Sequence, residues 1–103
     1  MGLLPDDKIK ELINKDFISL PRVKQVESFL VFLYENGYRK VSLKDISELF
    51  KDANIRSHEH QKKIRCGVYK VKEFFELIIS EQSLKDFGLI LKKISDSEYE
   101  IMT

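Results

Sequence analysis

The sequence predicts a mostly α fold with a small C-terminal β-hairpin, of the α+β class. Three observations carry this. Apolar residues recur at i, i+3, i+4 spacing from Ile9 to Ile78. Helix-stop and helix-start residues, Asn36-Gly37 and Ser42 with Asp45, punctuate that run. Beyond Phe87 the period shortens to the alternation of strands. The chain has 103 residues, 43% hydrophobic and 34% charged. That suits one domain, 1–103, with a single core, and is too apolar for a disordered segment.

Asp6 and Asp7 follow Pro5 and favour the positive end of a helix. Ile9, Leu12 and Ile13 give that helix, Asp6 to about Asp16, a narrow apolar stripe, and Phe17, Ile18 and Leu20 read as a linker. Residues 1–20 are therefore an addition to a core of 21–103. Pro21 is tolerated in the first turn of the next helix. Its apolar set is Val23, Val26, Phe29, Leu30 and Leu33, widened by Val31, Phe32 and Tyr34, so it buries much of its surface. Asn36-Gly37 ends it with a left-handed cap.

Tyr38-Arg39-Lys40-Val41 is short enough to be a pairing strand. Ser42 then caps a helix, with Asp45 standing in for the longer Glu of a capping box. Leu43, Ile46, Leu49 and Phe50 form its inner face, and it ends near Ala53-Asn54. Ser57 is the next cap. The helix after it runs from His58 towards Ser80, with Ile64, Val68, Val71, Phe75 and Ile78 facing the core. Gly67 costs this helix roughly 1 kcal/mol relative to Ala, so the segment is two helices or one bent one. Phe87 to Ile94 is strand-like, Ser95-Asp96-Ser97 is turn chemistry, and Tyr99 and Ile101 alternate with Glu98 and Glu100.

Several classes of function are disfavoured. One cysteine, Cys66, excludes an internal disulfide framework and fits a reducing compartment. No apolar run is long enough to span a bilayer, and the N-terminus has no signal-peptide pattern, so a soluble cytoplasmic protein is expected. The four glycines are scattered, so no phosphate loop is present. No nucleophile, base and orienter assemble at recognisable spacings, so an enzyme is not expected. No cofactor and no small-molecule ligand is evident. On a helix His58 and His60 point about 160° apart and cannot share one metal ion. Cations around Cys66 would lower its pKa, although a thiol in such a place more often has no role.

The formal net charge of +1 hides an uneven distribution. Residues 1–55 are neutral. Residues 56–72 carry Arg56, Lys62, Lys63, Arg65, Lys70 and Lys72 against Glu59 alone, a net +5. Residues 73–103 carry a net −4. At about 100° per residue, His58, Lys62, Arg65, Tyr69 and Lys72 fall within about 80° of arc beside the core stripe. A helix across this block shows a continuous basic face to solvent. Any exposed helix has a charged face, but an ordinary one mixes both signs.

The order of helix (Val26 to Asn36), short strand (Arg39 to Val41), helix (Leu43 to Ala53), turn (Asn54-Ile55-Arg56), helix (His58 onward) and hairpin (Leu89 to Ile101) resembles the winged helix-turn-helix family. The resemblance is one of pattern over most of the chain, with the N-terminal helix as an extra. It implies that the helix after Arg56 lies in the major groove of double-stranded DNA and reads bases with its N-terminal part. Arg56, Ser57, His58, Gln61, Lys62 and Arg65 are then the base-reading candidates, although Ser57 more often serves as a cap. Lys62, Lys63, Arg65, Lys70 and Lys72 attract phosphates, and Tyr69 bonds one through its hydroxyl or simply covers the core. The hairpin tip is acidic, so DNA contact is expected from the helix and not from the wing.

The function implied is a small winged-helix DNA-binding protein, a transcriptional regulator or DNA-binding adaptor. The alternative is a winged-helix protein–protein interaction module whose basic helix docks an acidic partner. RNA is a third partner that the same charges permit. Ile9, Leu12, Ile13 and Phe17 need cover, from their own domain or from a second copy. Dimeric members of the family often pair through terminal helices, and the expectation leans towards such a homodimer, with recognition helices about 34 Å apart.

Overall fold

The computed structural model describes residues 4–56 and 66–103. The chain forms α1 (Asp6–Leu12), α2 (Lys15–Ser19), α3 (Arg22–Glu35), β1 (Lys40–Ser42), α4 (Leu43–Arg56), α5 (Val68–Glu81), a 3₁₀ turn (Ser83–Phe87), β2 (Ile90–Lys93) and β3 (Glu98–Met102). It is mostly helical, with one three-stranded antiparallel sheet in the order β1-β3-β2. Among the described residues no helix is long and apolar enough to cross a membrane.

The N-terminal helix predicted to reach Asp16 is two helices. Ile13 leaves the helical conformation, and Asn14 accepts a hydrogen bond from the Phe17 amide at 2.9 Å through its side chain. An Asn whose oxygen captures a backbone donor starts a new helix more readily than it continues the old one. The restart turns Phe17 and Ile18 inward, so they are core residues and not a linker. Leu4, Ile9, Ile13 and Phe17 are all buried within the chain itself. Of the stripe that pointed to a second copy, only Leu12 stays partly exposed.

Helix α3 is the central element. Val26, Phe29, Leu30 and Leu33 are each fully buried, and burial of one such side chain stabilises a fold by roughly 1.5–3 kcal/mol. Phe29 stacks at 5.2 Å on Phe17 and edge-on at 4.8 Å on Phe50 of α4. Asn36 and Gly37 end the helix as predicted. Gly37 takes a φ of +92°, and the amides of Gly37 and Tyr38 donate to the carbonyls of Tyr34 and Leu33. These two bonds form a Schellman cap.

The capping box at Ser42 is present in both directions. The Ser42 hydroxyl accepts from the Asp45 amide at 3.0 Å, and the Asp45 carboxylate accepts from the Ser42 amide at 2.9 Å. β1 pairs with β3, Val41 opposite Tyr99. β2 pairs with β3, Leu91 opposite Ile101. The alternation puts Val41, Leu91, Tyr99 and Ile101 on the buried face, where Tyr99 meets Phe75 of α5 edge-on at 4.7 Å.

Two boundaries differ from expectation. A helix continuous from His58 to Ser80 is not formed. α4 extends to Arg56, and Cys66 and Gly67 lie outside any helix, with Gly67 extended (φ −73°, ψ 165°) as the N-cap of α5. Glycine's low helix propensity makes it the natural place to begin afresh. The predicted cap at Ser57 lies outside the described residues. Phe87 ends the 3₁₀ turn instead of opening a strand, because Leu84 is drawn into the core and Gly88 (φ +72°) turns the chain.

Candidate nucleic-acid interface

Of the ten residues predicted to touch DNA, Tyr69, Lys70 and Lys72 are described in full. They occupy the first turns of α5. Ser57, His58, Gln61, Lys62, Lys63 and Arg65 lie outside the described residues. Arg56 is the last residue of α4, so this basic stretch of sequence joins the end of one helix to the start of the next.

Val71, Phe75 and Ile78 turn into the core and orient α5. The opposite side then faces solvent. Tyr69 is 88% exposed, the most exposed of the large apolar or aromatic side chains described. Lys70 pairs with Glu73 at 3.1 Å, both ends in solvent, where such a bridge contributes little. Lys72 has no ion-pair partner among the described residues. Gly67 supplies no side-chain cap, and the first turn contains no acidic residue. Its amides lie at the positive end of the helix dipole.

The predicted basic arc through His58, Lys62, Arg65, Tyr69 and Lys72 required one unbroken helix. The break at Gly67 leaves only Tyr69 and Lys72 of that set on α5. Further along, the exposed side carries Glu73 and Glu76, so the positive character is confined to the N-terminal turns.

Arg22 is a residue that the sequence pattern did not single out. It opens α3, lies 5.8 Å over the Phe50 ring and donates to the Gln25 side chain. Its charge and that of Lys70 both reach Cys66. The start of α3 and the start of α5 therefore each add a positive charge to the electrostatic field at Cys66. No local signal marks Arg22, because the proximity arises from packing. Burial pushes the Cys66 thiol above its ordinary pKa, and outweighs the opposing pull of Arg22 and Lys70. The lowered pKa expected from neighbouring cations is thus reversed by desolvation.

The hairpin tip is anchored to the helical layer. The Leu43 amide donates to the Ser97 carbonyl at 3.0 Å, and the Ser95 hydroxyl accepts from the Glu98 amide at 3.2 Å. Lys93 lies 3.6 Å from Asp96, so the nearest wing cation is already paired. Among the described residues no three His, Cys, Asp or Glu side chains gather to hold a metal ion. No family model, no curated protein and no solved structure matches the chain.

Proposed function

We propose that the protein is a small winged-helix DNA-binding protein that contacts duplex DNA through the N-terminal turns of α5 and the basic stretch before them. The observation that carries this is topological. The order α3-β1-α4-α5-β2-β3, with the sheet strands arranged β1-β3-β2, follows the element order on which the resemblance rests, although Asn54-Ile55-Arg56, expected as the turn, belong to α4, and α5 begins at Val68. In this reading α5 takes the place of the recognition helix. The same helix receives the net +5 block of residues 56–72 at its N-terminal end, the end that reads bases in such proteins.

In this reading Lys62, Lys63, Arg65, Lys70 and Lys72 neutralise phosphates, and Arg22 adds a cation from α3. The Tyr69 hydroxyl reaches a phosphate or a base edge. Arg56, His58, Gln61 and Arg65 supply any sequence preference, with Arg suited to guanine and Gln to adenine. The protein acts as a regulator or an adaptor on DNA.

The experiment is fluorescence-anisotropy binding to a mixed-sequence duplex across a salt series, beside the double variant Lys62→Glu, Arg65→Glu. About five phosphate contacts give a log–log salt slope near −4. Binding that is steep in salt and lost in the variant supports the reading. A folded protein that fails to bind at low salt sinks it. Glu73 and Glu76 on the exposed side of α5 favour a second reading, a protein-docking module, which would bind any duplex only weakly and with a shallow slope.

A further inference from the structure

Of the eight large apolar or aromatic side chains that stay exposed among the described residues, four gather around β2. Phe87, Ile90, Ile94 and Met102 lie on this strand, next to it in the chain or across from it. Ile90 also lines a groove of about 470 Å³ between the last turn of α5 and the first half of β2, walled by Ile78, Ile79, Leu84 and Leu91. β2 is an edge of the sheet. Ile94, just beyond it, donates to the Glu98 carbonyl at 2.9 Å. The antiparallel alternation therefore gives the backbone groups of Ile90 and Lys92 to β3, and directs those of Leu91 and Lys93 outward. No hydrogen bond from the described residues reaches these outward groups. Charge along the edge is balanced within the chain: Lys93 lies 3.6 Å from Asp96, and Lys92 stands opposite Glu100. The net −4 of residues 73–103 disfavours an acidic partner, and Lys85, Lys92 and Lys93 beside the groove disfavour a basic one. Main-chain bonding and apolar cover are what remain to hold a partner.

We propose that the partner is a second copy of this chain, whose β2 pairs antiparallel with β2 about a two-fold axis at Leu91, so that the two sheets join into one. In this register the outward groups of Leu91 bond their counterparts in the other copy, and the outward amide of Lys93 meets the Leu89 carbonyl. Lys92 falls opposite Ile90 of the other copy, so no lysine faces a lysine. Its aliphatic stem covers an exposed apolar side chain, and its ammonium stays on the side of its own Glu100. The two grooves, each walled by Leu91, meet at the axis. A copy is favoured over a flexible segment for an energetic reason. Such a segment must lose its own conformational freedom to become a strand, and this short edge offers few bonds and no charge in return. In a copy, β2 is already held by β3. A patch that matches itself is what a two-fold interface requires. Two short strands make a small interface, so the dimer is reversible and concentration-dependent. This surface lies at the opposite end of α5 from the turns assigned to DNA and is independent of that assignment.

The test is sedimentation equilibrium of the full chain across a concentration series, without DNA. The expected result is a monomer that becomes a dimer as concentration rises, with hydrogen exchange slowing at Leu91 and Lys93 over the same range. Ile90→Lys sets like charges opposite one another, and Lys93→Pro removes an outward donor at a place where an edge strand tolerates proline. Each should weaken dimerisation by about tenfold or more while the circular dichroism is unchanged. Cysteine cross-linking reads the register. In a Cys66→Ala background, Ile90→Cys chains mixed with Lys92→Cys chains should cross-link under mild oxidation faster than either chain does alone. A single monomeric mass up to about 1 mM would overturn the proposal. So would a dimer that both variants leave intact, or one whose formation leaves exchange at Leu91 and Lys93 unchanged. Lys92→Cys chains that cross-link chiefly to one another would overturn the axis at Leu91.

Discussion

From a fully buried position, the side-chain amide of Gln25 donates to the carbonyl oxygen of Phe17 at 3.0 Å. It also reaches the Ile18 carbonyl at 3.4 Å, while Arg22 donates to its amide oxygen. One polar side chain thereby ties the N-terminal extension to α3 and satisfies the end of α2.

Gln25→Ala should therefore cost about 2 kcal/mol, since it leaves buried carbonyls short of a donor and opens space beside Phe17. Urea denaturation measures the loss. Hydrogen exchange should show residues 4–20 losing protection before α3 does. Uniform loss of protection would mean that Gln25 serves the core generally and does not pin the extension.

The reciprocal cap of α4 predicts a coupled pair. Ser42→Ala and Asp45→Ala should each destabilise by about 1 kcal/mol. The double variant should lose less than their sum, because both bonds belong to one box. Strict additivity in thermal or urea unfolding would show that the two bonds act independently.

Tyr99 predicts an alkaline limit. Its ring is buried and its hydroxyl finds no hydrogen-bond partner among the described residues. Burial raises its pKa above the ordinary 10.0; Lys93 opposes this, and Glu76 and Asp96 add to it. Below pH 10.0 both folded and unfolded chains keep the proton. Above it the unfolded chain ionises first, so stability falls as pH rises towards the folded value. The Cys66 thiol, also raised, starts the same decline from its ordinary 9.0. Tyr99→Phe should gain about 1 kcal/mol at neutral pH by removing an unpaired buried hydroxyl. It should also flatten the decline above pH 10. Equal alkaline slopes in variant and parent would refute this.

Lys70→Glu with Lys72→Glu should weaken duplex binding at least tenfold and make the salt slope shallower by about 2. Lys92→Glu with Lys93→Glu, on the hairpin, should change both far less. Anisotropy across the same salt series reads all four values. A larger effect from the hairpin pair would move the interface from α5 to the wing.

Much of the fold was legible because its signals are local. The stripe of α3, the Asn36-Gly37 stop, the Ser42–Asp45 box and the alternation around Tyr99 each involve residues within one or two turns of chain. Gly67 was visible as a weak point, but periodicity reads straight through a glycine, and the break became clear only in the structure. The charged block at residues 56–72 was legible as composition. Its arrangement was not, because the predicted arc depended on a continuous helix.

Neighbouring side chains competing for nearby backbone groups settle which stretches are helical, where α3 stops and α4 starts, and that the chain ends in a hairpin. Those features are written in the order of residues alone. Packing in three dimensions settles the rest. Asn14 restarts the N-terminal helix so that Phe17 meets Phe29, β1 joins the hairpin through Val41 and Tyr99, and Arg22 comes to lie over the Phe50 ring. These outcomes depend on contacts between residues far apart in the chain, and the burial of shared apolar surface selects among pairings that local patterns leave equally open.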